Sequence, residues 1–287
     1  MDLKGKTALV TGANTGLGLE MARGLAARGA DVVVAGRSRD KVEAAIADLA
    51  ADNPAASLEV GIVDLNSLAS VREFAEGFAA RHSQLDILIN NAGVMVPPAG
   101  QTADGFETQF GVNFVAHFAL TGHLFDTLSA ASAARVVTMS SIGHRGAVLD
   151  FDNFRLEKTY DPWREYGQSK LADLIFALEF DRRLRAGQHS VSSLAAHPGV
   201  SQTELTRNLG PLPVGIDMMT PADGAAPALV AATSADATGG QYWGPDGPEE
   251  RSGRPGLALI DAAARRGGEA AQLWDWAESA TGLRYPY

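Results

Sequence analysis

The stretch of sequence that decides the fold is Thr7-Ala8-Leu9-Val10-Thr11-Gly12-Ala13-Asn14-Thr15-Gly16-Leu17-Gly18. Its mostly apolar start matches a buried strand, and three glycines then follow in the spacing G-x-x-x-G-x-G before a run of helical length. Such a turn lets backbone N–H groups and the positive end of the helix dipole face a pyrophosphate, because glycine has no Cβ to block the approach. A glycine spacing alone is equally typical of a structural turn, but the strand–turn–helix context favours a dinucleotide site.

Further short apolar runs follow this unit, each separated from the next by an Ala/Glu/Leu-rich stretch of helical length. They are Asp31–Ala35, Leu58–Val63, Leu85–Ile89, Arg135–Met139 and Ser192–Ala196. Strands that are apolar on both sides and joined by crossover helices predict a parallel sheet covered on both faces. We therefore expect one α/β domain over residues 1–287, a Rossmann fold with a doubly wound parallel sheet of about seven strands and helices on both faces.

The pattern loosens after residue 200, where proline and glycine interrupt it and a short Ala-rich helix is predicted from Pro221 to about Ala232. We interpret residues of about 142–165 and 200–220 as elements that border a pocket. Residues from about 245 are interpreted as a C-terminal extension that ends in an amphipathic helix, so this half of the chain is expected to contribute walls rather than sheet core.

Composition excludes several classes of function. The 287-residue chain has no cysteine, which rules out disulfides, thiolate zinc sites and a cysteine nucleophile. Its 24 Lys and Arg against 34 Asp and Glu give a net charge of -10, and the basic residues are scattered singly, so no nucleic-acid partner is expected. No apolar run approaches the roughly 18 residues that span a bilayer, and no signal-peptide region precedes Thr7. We expect a cytoplasmic protein with no membrane anchor and no metal.

The end of the second predicted strand bears on the choice of cofactor. An NAD-selective site places a carboxylate there for the ribose 2′-hydroxyl, and Gly36 offers none. Arg37 with Ser38, and Arg39 beside them, can instead hold a 2′-phosphate through charge-assisted hydrogen bonds. The sequence therefore favours NADP(H) without excluding NAD(H), since a loop arginine is also compatible with a solvated charge.

Several more motifs follow the glycine turn in a fixed order. They are Asp64-Leu65, Asn90-Asn91-Ala92-Gly93, Asn113, Ser140-Ser141, Tyr166-Gly167-Gln168-Ser169-Lys170 and His197-Pro198-Gly199. With them the chain resembles the short-chain dehydrogenase/reductase family from Lys6 to about Gly244. Within this family the chain is similar to the retinol-dehydrogenase-like and WW-domain-oxidoreductase-like branch, in the sequence Gly111–Phe118 and in the long segment between Ser141 and Tyr166. Members of that branch usually act on lipophilic or aromatic aldehydes, ketones and alcohols.

The chemistry of Tyr166 and Lys170 can be argued from the residues themselves. Hydride transfer to a carbonyl leaves an alkoxide that needs a proton, and a tyrosine with an ordinary pKa of about 10 is a poor proton shuttle at neutral pH. The spacing i and i+4 puts both side chains on one helix face, so the ammonium favours the phenolate. A shift of about three units requires roughly 4 kcal/mol, which a partly desolvated cation and an oxidised nicotinamide can supply together.

The family resemblance implies roles for the neighbouring residues. Ser141, the second serine of its pair, would donate a hydrogen bond to the substrate carbonyl oxygen, with Ser140 as the competing serine. Asn113 would hold a water that links Lys170 to solvent, and Lys170 would also bond the nicotinamide ribose. The expected catalytic residues are therefore Asn113, Ser141, Tyr166 and Lys170.

The resemblance also implies cofactor contacts beyond the glycine turn and the Arg37 loop, with Asp64 beside the adenine, Asn91 at a ribose, and Gly199 with Thr203 around the nicotinamide. Asp64 and Thr203 are equally compatible with capping the segments that follow them. The expected cofactor contacts are Gly12, Asn14, Thr15, Gly16, Leu17, Gly18, Arg37, Ser38, Asp64, Leu65, Asn91, Ala92, Gly93, Tyr166, Lys170, Pro198, Gly199, Val200 and Thr203.

The substrate side is predicted less directly. Aromatic side chains of the 142–165 segment, the two methionines that end Val200–Met219 and the pair Tyr242-Trp243 are expected to border an apolar pocket, although such residues are as often core as pocket wall. The aromatic and histidine residues of that segment are His144, Phe151, Phe154, Tyr160 and Trp163.

These residues predict an NADP(H)-dependent oxidoreductase that interconverts an aldehyde or ketone and its alcohol. The alternative is a non-catalytic NADPH-binding sensor, against which the intact Ser141, Tyr166 and Lys170 argue. The family often forms homodimers or homotetramers through the helix that bears Tyr166, and the sequence leaves the oligomeric state, the substrate and the direction of reaction open.

Overall fold

A single sheet forms the centre of the protein, which is described by a computed structural model over residues 2–202, 205 and 218–286. Its strands are β1 Thr7–Thr11, β2 Asp31–Gly36, β3 Ser57–Ile62, β4 Ile87–Asn90, β5 Arg135–Met139, β6 Ser192–Ala196, β7 Tyr242–Pro245 and β8 Pro255–Leu257. In the described part of the chain the strand order is β3-β2-β1-β4-β5-β6-β7-β8. Strands β1 to β7 pair in parallel, and β8 pairs with β7 in the antiparallel sense.

Helices cover both faces of this sheet. They are α1 Gly16–Ala26, α2 Arg39–Asp52, α3 Leu68–Arg81, α4 Ala116–His123, α5 Phe125–Ala130, α6 Pro162–Ala186, α7 Pro221–Thr233 and α8 Gly267–Thr281, with a π-helical turn at Phe110–Val115 before α4. Alternate strand residues point to opposite faces. Ala8 and Val10 accordingly lie in the core under α1, α2 and α7, whereas Leu9 lies in the core under α3, α4, α6 and α8. Among the described helices, none has both the length and the hydropathy needed to cross a bilayer.

The doubly wound α/β architecture predicted from the strand pattern is confirmed, and two of its strands have the predicted bounds, Arg135–Met139 and Ser192–Ala196. The sheet differs from the prediction at its far edge, because β7 and β8 extend it to eight strands. β7 carries Gly244 and Pro245, so its sequence lacks an apolar strand pattern. Glycine is needed there because a Cβ at Gly244 would lie 1.9 Å from His197 Nε2.

The location of Tyr242-Trp243 in β7 corrects the prediction that this pair closes the substrate pocket. Tyr242 and Trp243 pair with Ala195 and Ala196 of β6, and the Tyr242 side chain is buried. Backbone pairing to a long-range partner, which no local pattern encodes, decides their place.

The C-terminal residues complete the core on one face of the sheet. Trp274 of α8 packs against Phe118 and Phe180, and Tyr285 donates a 2.7 Å hydrogen bond from its hydroxyl to the Phe118 carbonyl. The segment interpreted as an extension therefore buries aromatic area against α4 and α6, and it helps to hold α6 in place.

Close packing at the junction of β1 and α1 explains two of the glycines in the turn. Gly12 has φ of 65°, a left-handed conformation that suits glycine. A Cβ at Gly18 would lie 2.4 Å from the Gly12 carbonyl oxygen and 2.5 Å from Asn91 Nδ2. The first turn of α1 therefore rests directly on the preceding loop and on the loop that follows β4.

We expect Gly18→Ala to lower the free energy of unfolding by about 1–3 kcal/mol, because backbone atoms must move to admit the methyl group. Gly77→Ala is the matched control, since it also lies inside a helix and its Cβ would meet the flexible Arg81 guanidinium at 3.4 Å. That control should leave stability unchanged or raise it by up to about 1 kcal/mol. Urea unfolding of both variants measures the difference, and an equal loss in the two would contradict this account of the junction.

Candidate active site

A groove of about 530 Å³ runs along the carboxyl ends of the central strands. The chain reverses its direction of winding there, because β2 and β4 flank β1 on opposite sides. In open α/β sheets, ligands bind at this point of reversal. The groove is therefore the candidate site for both a dinucleotide and a substrate.

The structure brings most of the predicted cofactor residues to the wall of this groove. Those that line it are Gly12, Asn14, Thr15, Gly16, Leu17, Gly18, Arg37, Ser38, Asp64, Leu65, Asn91, Ala92, Gly93, Tyr166, Lys170 and Pro198. Gly199 and Val200 follow Pro198 but pack on a neighbouring loop, where Val200 N donates to the Arg251 carbonyl. Thr203 lies outside the described residues, as does most of the segment 200–220 that was predicted to border the pocket.

Thr11 joins the glycine turn to the loop after β4. Its hydroxyl oxygen accepts hydrogen bonds from Asn91 N at 2.9 Å and Ala92 N at 3.0 Å, and Asn91 Nδ2 donates to the Thr11 carbonyl at 2.8 Å. These bonds fix the two backbone segments on either side of the groove floor. Thr11 was not predicted as a site residue, although its place at the end of β1, directly before Gly12, was a usable signal.

His117, also missed, connects Thr11 to Asn113. The imidazole Nδ1 lies 2.7 Å from the Asn113 carbonyl oxygen, and Nε2 lies 2.9 Å from Thr11 Oγ1. Burial lowers the pKa of His117 to about 4, so the ring is neutral near pH 7. Since a carbonyl only accepts, Nδ1 carries the proton and the Thr11 hydroxyl donates to Nε2.

The Asn113 side chain holds the next loop. Its Nδ2 donates to the Val94 carbonyl at 3.0 Å and to Ser169 Oγ at 2.9 Å, and its Oδ1 accepts from Val94 N at 2.8 Å. Asn113 lies in the π-helical turn, so this side chain ties the loop after β4 to α6. The predicted water held by Asn113 stays a prediction.

Helix α6 carries Tyr166 and Lys170 to the groove. The helix begins where the Asp161 carboxylate accepts hydrogen bonds from Trp163 N and Arg164 N, which is a regular N-cap. Lys170 is only 5% exposed, and its Nζ donates to the Met139 carbonyl at 3.0 Å and to Asp173 Oδ2 at 2.8 Å. Tyr166 is 8% exposed, so the tyrosine and the ammonium share a largely desolvated environment.

The two serines after β5 have different partners. Ser140 Oγ is buried and donates to the Lys170 carbonyl at 2.7 Å, so its proton is committed to holding α6. Ser141 Oγ accepts from Gly143 N at 3.1 Å, and a hydroxyl that accepts in this way can still donate its own proton. A Cβ at Gly143 would lie 3.1 Å from Tyr166 Cε1 and 3.4 Å from Ser141 Oγ, so Ser141 stands beside the Tyr166 ring.

The far end of the groove is basic. Arg37 and Ser38 line it, and so does Lys41 from the first turn of α2. Lys41 was not predicted as a site residue, although it stands at i+4 from Arg37. A Cβ at Gly36 would lie 2.8 Å from Asn14 Oδ1, so the turn itself leaves no room for a carboxylate at this position. Arg39 does not join this group, because it is exposed and pairs with Glu43.

Asp64 is not the N-cap of α3, which corrects the capping alternative, and its place beside the adenine stays a prediction. It lines the groove, and its Oδ1 accepts a 3.0 Å hydrogen bond from Asn66 N. The N-cap of α3 is Ser67, whose side chain accepts from Ser70 N. The Asp64 carboxylate therefore orders the loop that leads to α3 while facing the groove.

The wall near Tyr166 is largely apolar, and apart from Leu205, which lies in the predicted segment 200–220, its residues were not predicted to border the pocket. Side chains of the loop after β4, of β5 and of the π-helical turn line it, together with Thr108 and Leu205. Those residues are Val94, Met95, Pro97, Thr108, Val112, Met139 and Leu205. Val96 in this loop has φ of 43° and its N–H donates to Gln109 Oε1, so a strained backbone held by a buried amide shapes the wall.

Phe154 and Tyr160 of the 142–165 segment support this wall from behind, which corrects the prediction that these two aromatic residues border the pocket. Phe154 stacks on Phe110 in the core, and Tyr160 donates to the Pro97 carbonyl at 2.6 Å. Trp163 is 57% exposed with its ring 6.4 Å from that of Tyr166. The aromatic content alone gave no means of distinguishing core from pocket.

The remaining predicted wall residues lie behind the site. His144 is buried and its Nδ1 bonds the Ser141 carbonyl, while Phe151 packs on Phe154. Met219 forms a parallel bridge with Ser201 and is buried.

A family model and a curated relative each match most of this chain. The family model described as short chain dehydrogenase matches residues 6–212. Retinol dehydrogenase 12 from Homo sapiens is 45% identical over 208 residues, which are 72% of this chain and 65% of that relative. The chain therefore matches less than two thirds of the length of this curated relative.

Solved structures extend the match to the whole chain. A crystal structure of a protein from Mycobacterium paratuberculosis is 40% identical, covers 100% of this chain and 97% of its own, and superposes with a TM-score of 0.84. The Pseudomonas aeruginosa RhlG/NADP active-site complex is 25% identical, covers 84% of this chain and 94% of its own, and has a TM-score of 0.67. On these matches, the chain belongs to the short-chain dehydrogenase/reductase family, in its retinol-dehydrogenase-like branch.

Proposed function

We propose that this protein interconverts an aldehyde or ketone and its alcohol with NADP(H), using Tyr166 as the general acid and base. The observation that carries this proposal is the placement of Tyr166 and Lys170 on one buried face of α6, at the end of a groove that starts at the glycine turn. A proton donor beside a desolvated cation is what the reduction of a carbonyl requires of a protein.

The groove fits a dinucleotide phosphate. Gly12, Gly16 and Gly18 line the groove at the N-terminus of α1, which supports close approach of a pyrophosphate to the backbone there. Arg37, Ser38 and Lys41 together offer two cations and a hydroxyl for a 2′-phosphate. When bound, the nicotinamide supplies or accepts the hydride, and the protein supplies binding, orientation and the proton.

Residues of this chain transfer the proton, stabilise the phenolate and orient the substrate. In the reductive direction the Tyr166 hydroxyl gives its proton to the substrate oxygen, and in the oxidative direction the Tyr166 oxygen takes that proton back. Lys170, one helical turn after Tyr166, stabilises the phenolate left on Tyr166, since a neighbouring ammonium in a desolvated site favours an anion. Ser141 can donate a hydrogen bond to the same substrate oxygen and so orient it beside Tyr166.

The substrate is proposed to be lipophilic. Val94, Met95, Pro97, Val112 and Leu205 give the groove near Tyr166 an apolar wall that favours hydrocarbon over a charged or sugar-like group. The name of the relative retinol dehydrogenase 12 points to an apolar alcohol for that protein, which supports the same class here.

Tyr166→Phe is expected to lower kcat/KM by about 100-fold or more, because it removes the proton donor while leaving the ring in place. NADPH consumption over a panel of lipophilic aldehydes, cyclic ketones and quinones measures the loss. Tyr285→Phe is the matched control, since Tyr285 bonds the Phe118 carbonyl in the core and should leave turnover unchanged. Near-wild-type turnover in Tyr166→Phe would refute the mechanism. If the wild-type protein binds NADPH tightly but turns over no compound of the panel, the result would instead support the non-catalytic sensor.

Arg37→Ala and Lys41→Ala are each expected to weaken NADPH binding by about tenfold or more, because each removes a charge-assisted hydrogen bond to the 2′-phosphate. NADH binding should change much less. Arg39→Ala serves as the control, since Arg39 is exposed and paired with Glu43. Fluorescence titration with both nucleotides measures these affinities. A tenfold preference for NADH in the wild type, with no effect of Arg37→Ala on NADPH, would overturn the NADP(H) assignment.

A further inference from the structure

Asp173 is a buried carboxylate one helical turn beyond Lys170, and the mechanism above makes no use of it. Its side chain is 1% exposed, and Oδ2 accepts a 2.8 Å hydrogen bond from Lys170 Nζ. Its other oxygen, Oδ1, has no hydrogen-bond partner among the described residues. A buried carboxylate normally has both oxygens satisfied, so a carboxylate held by one ammonium alone is costly and calls for an explanation.

The three side chains form a row on one helix face. Tyr166, Lys170 and Asp173 stand at positions i, i+4 and i+7 of α6, which bring them to the same side of the helix. Seven residues correspond to a rise of about 10 Å, so the carboxylate charge acts on the Tyr166 oxygen from a distance of that order. Burial of all three side chains limits screening of that field by solvent.

The charge of Asp173 depends on pH. Burial raises the pKa of Asp173 to about 6, while the field and hydrogen bond of Lys170 oppose the rise. Among the described residues, two other titratable side chains interact electrostatically with this row. Burial lowers the pKa of His117, on α4, to about 4, and it raises the pKa of Tyr242, on β7. Both of these are neutral between about pH 7 and pH 9, so Lys170 and Asp173 supply the opposing charges.

We propose that Asp173 is a positioning residue that offsets the Lys170 charge and thereby favours the protonated form of Tyr166. A lone ammonium would favour the phenolate strongly, whereas an ammonium paired with a carboxylate favours it less. The form of Tyr166 that is maintained is the one that donates a proton, which suits carbonyl reduction. The suggested benefit for carbonyl reduction rests on the proposed function, but the effect of Asp173 on the protonation of Tyr166 does not.

The test therefore measures the proton directly, by ultraviolet difference titration of phenolate formation in the protein without cofactor. The wild type and Asp173→Asn are each titrated with and without Tyr166→Phe, so that the difference within each pair isolates Tyr166 from the other tyrosines. Asparagine keeps an acceptor for Lys170 Nζ and removes the charge. The Tyr166 midpoint should fall by about one pH unit in Asp173→Asn.

Two controls separate charge from structure. Asp181→Asn makes the same change at another buried aspartate of α6, which pairs with Arg185 away from the groove, and it should leave the midpoint unmoved. Asp173→Glu retains the carboxylate and should stay near the wild-type midpoint. If Asp173→Asn does not fold, Asp173→Ser provides a smaller neutral side chain for the same comparison.

Turnover gives a second readout. With saturating NADP⁺ and an alcohol substrate, the rising limb of the pH profile of kcat/KM should move to lower pH in Asp173→Asn. The wild-type and variant profiles should converge below about pH 6, where Asp173 is protonated. A merely structural role would lower activity at all pH values without moving the limb.

The outcomes are distinguishable. A Tyr166 midpoint that stays within about 0.2 pH units of the wild type, or moves to higher pH, refutes the role of Asp173 even if Tyr166→Phe is inactive. An active Tyr166→Phe refutes the proposed function but leaves the titration result standing.

Discussion

Close approach of backbone at the β1–α1 junction is the constraint on which the rest of the site depends. The first turn of α1 rests on the Gly12 carbonyl and the Asn91 amide, and a side chain at Gly18 would separate them. Thr11 then ties this junction to the loop after β4 through three hydrogen bonds. Because the groove lies between these two loops, their distance sets its width and the exposure of backbone N–H groups to a pyrophosphate.

Helix α6 carries the second half of the site, and its position is set by packing rather than by its own sequence. The helix is held by the Ser140 hydroxyl, by Asn113 through Ser169, and by the aromatic packing of Phe180 against Trp274 of the C-terminal helix. These contacts come from three separate parts of the chain. Lys170 and Asp173 can be buried on such a helix because they pair with each other and Lys170 also donates to the Met139 carbonyl.

Much of the fold was predictable because its elements are local. Short β-branched or Leu-containing runs between stretches of helical length predicted β5 and β6 with their observed bounds, and the glycine turn located α1. The prediction was wrong for Tyr242-Trp243, because β7 is a strand through its pairing with Ala195 and Ala196, not through its composition. The aromatic residues after Ser141 were misplaced for a related reason, since Phe154 fills the core by stacking on a residue far away in sequence.

The sequence by itself determined which chemical groups are available and in what order: a glycine turn, no carboxylate at Gly36, a basic Arg37, and a tyrosine four residues before a lysine. Helix and turn geometry are local, so these spacings predict neighbours directly. Tertiary structure alone decided that the Ser140 hydroxyl bonds α6 and that the loop after β4 lines the groove near Tyr166. It also decided that Asp173 is buried against Lys170. Burial and long-range hydrogen bonds depend on how distant segments pack, and the charge on a side chain depends on that burial.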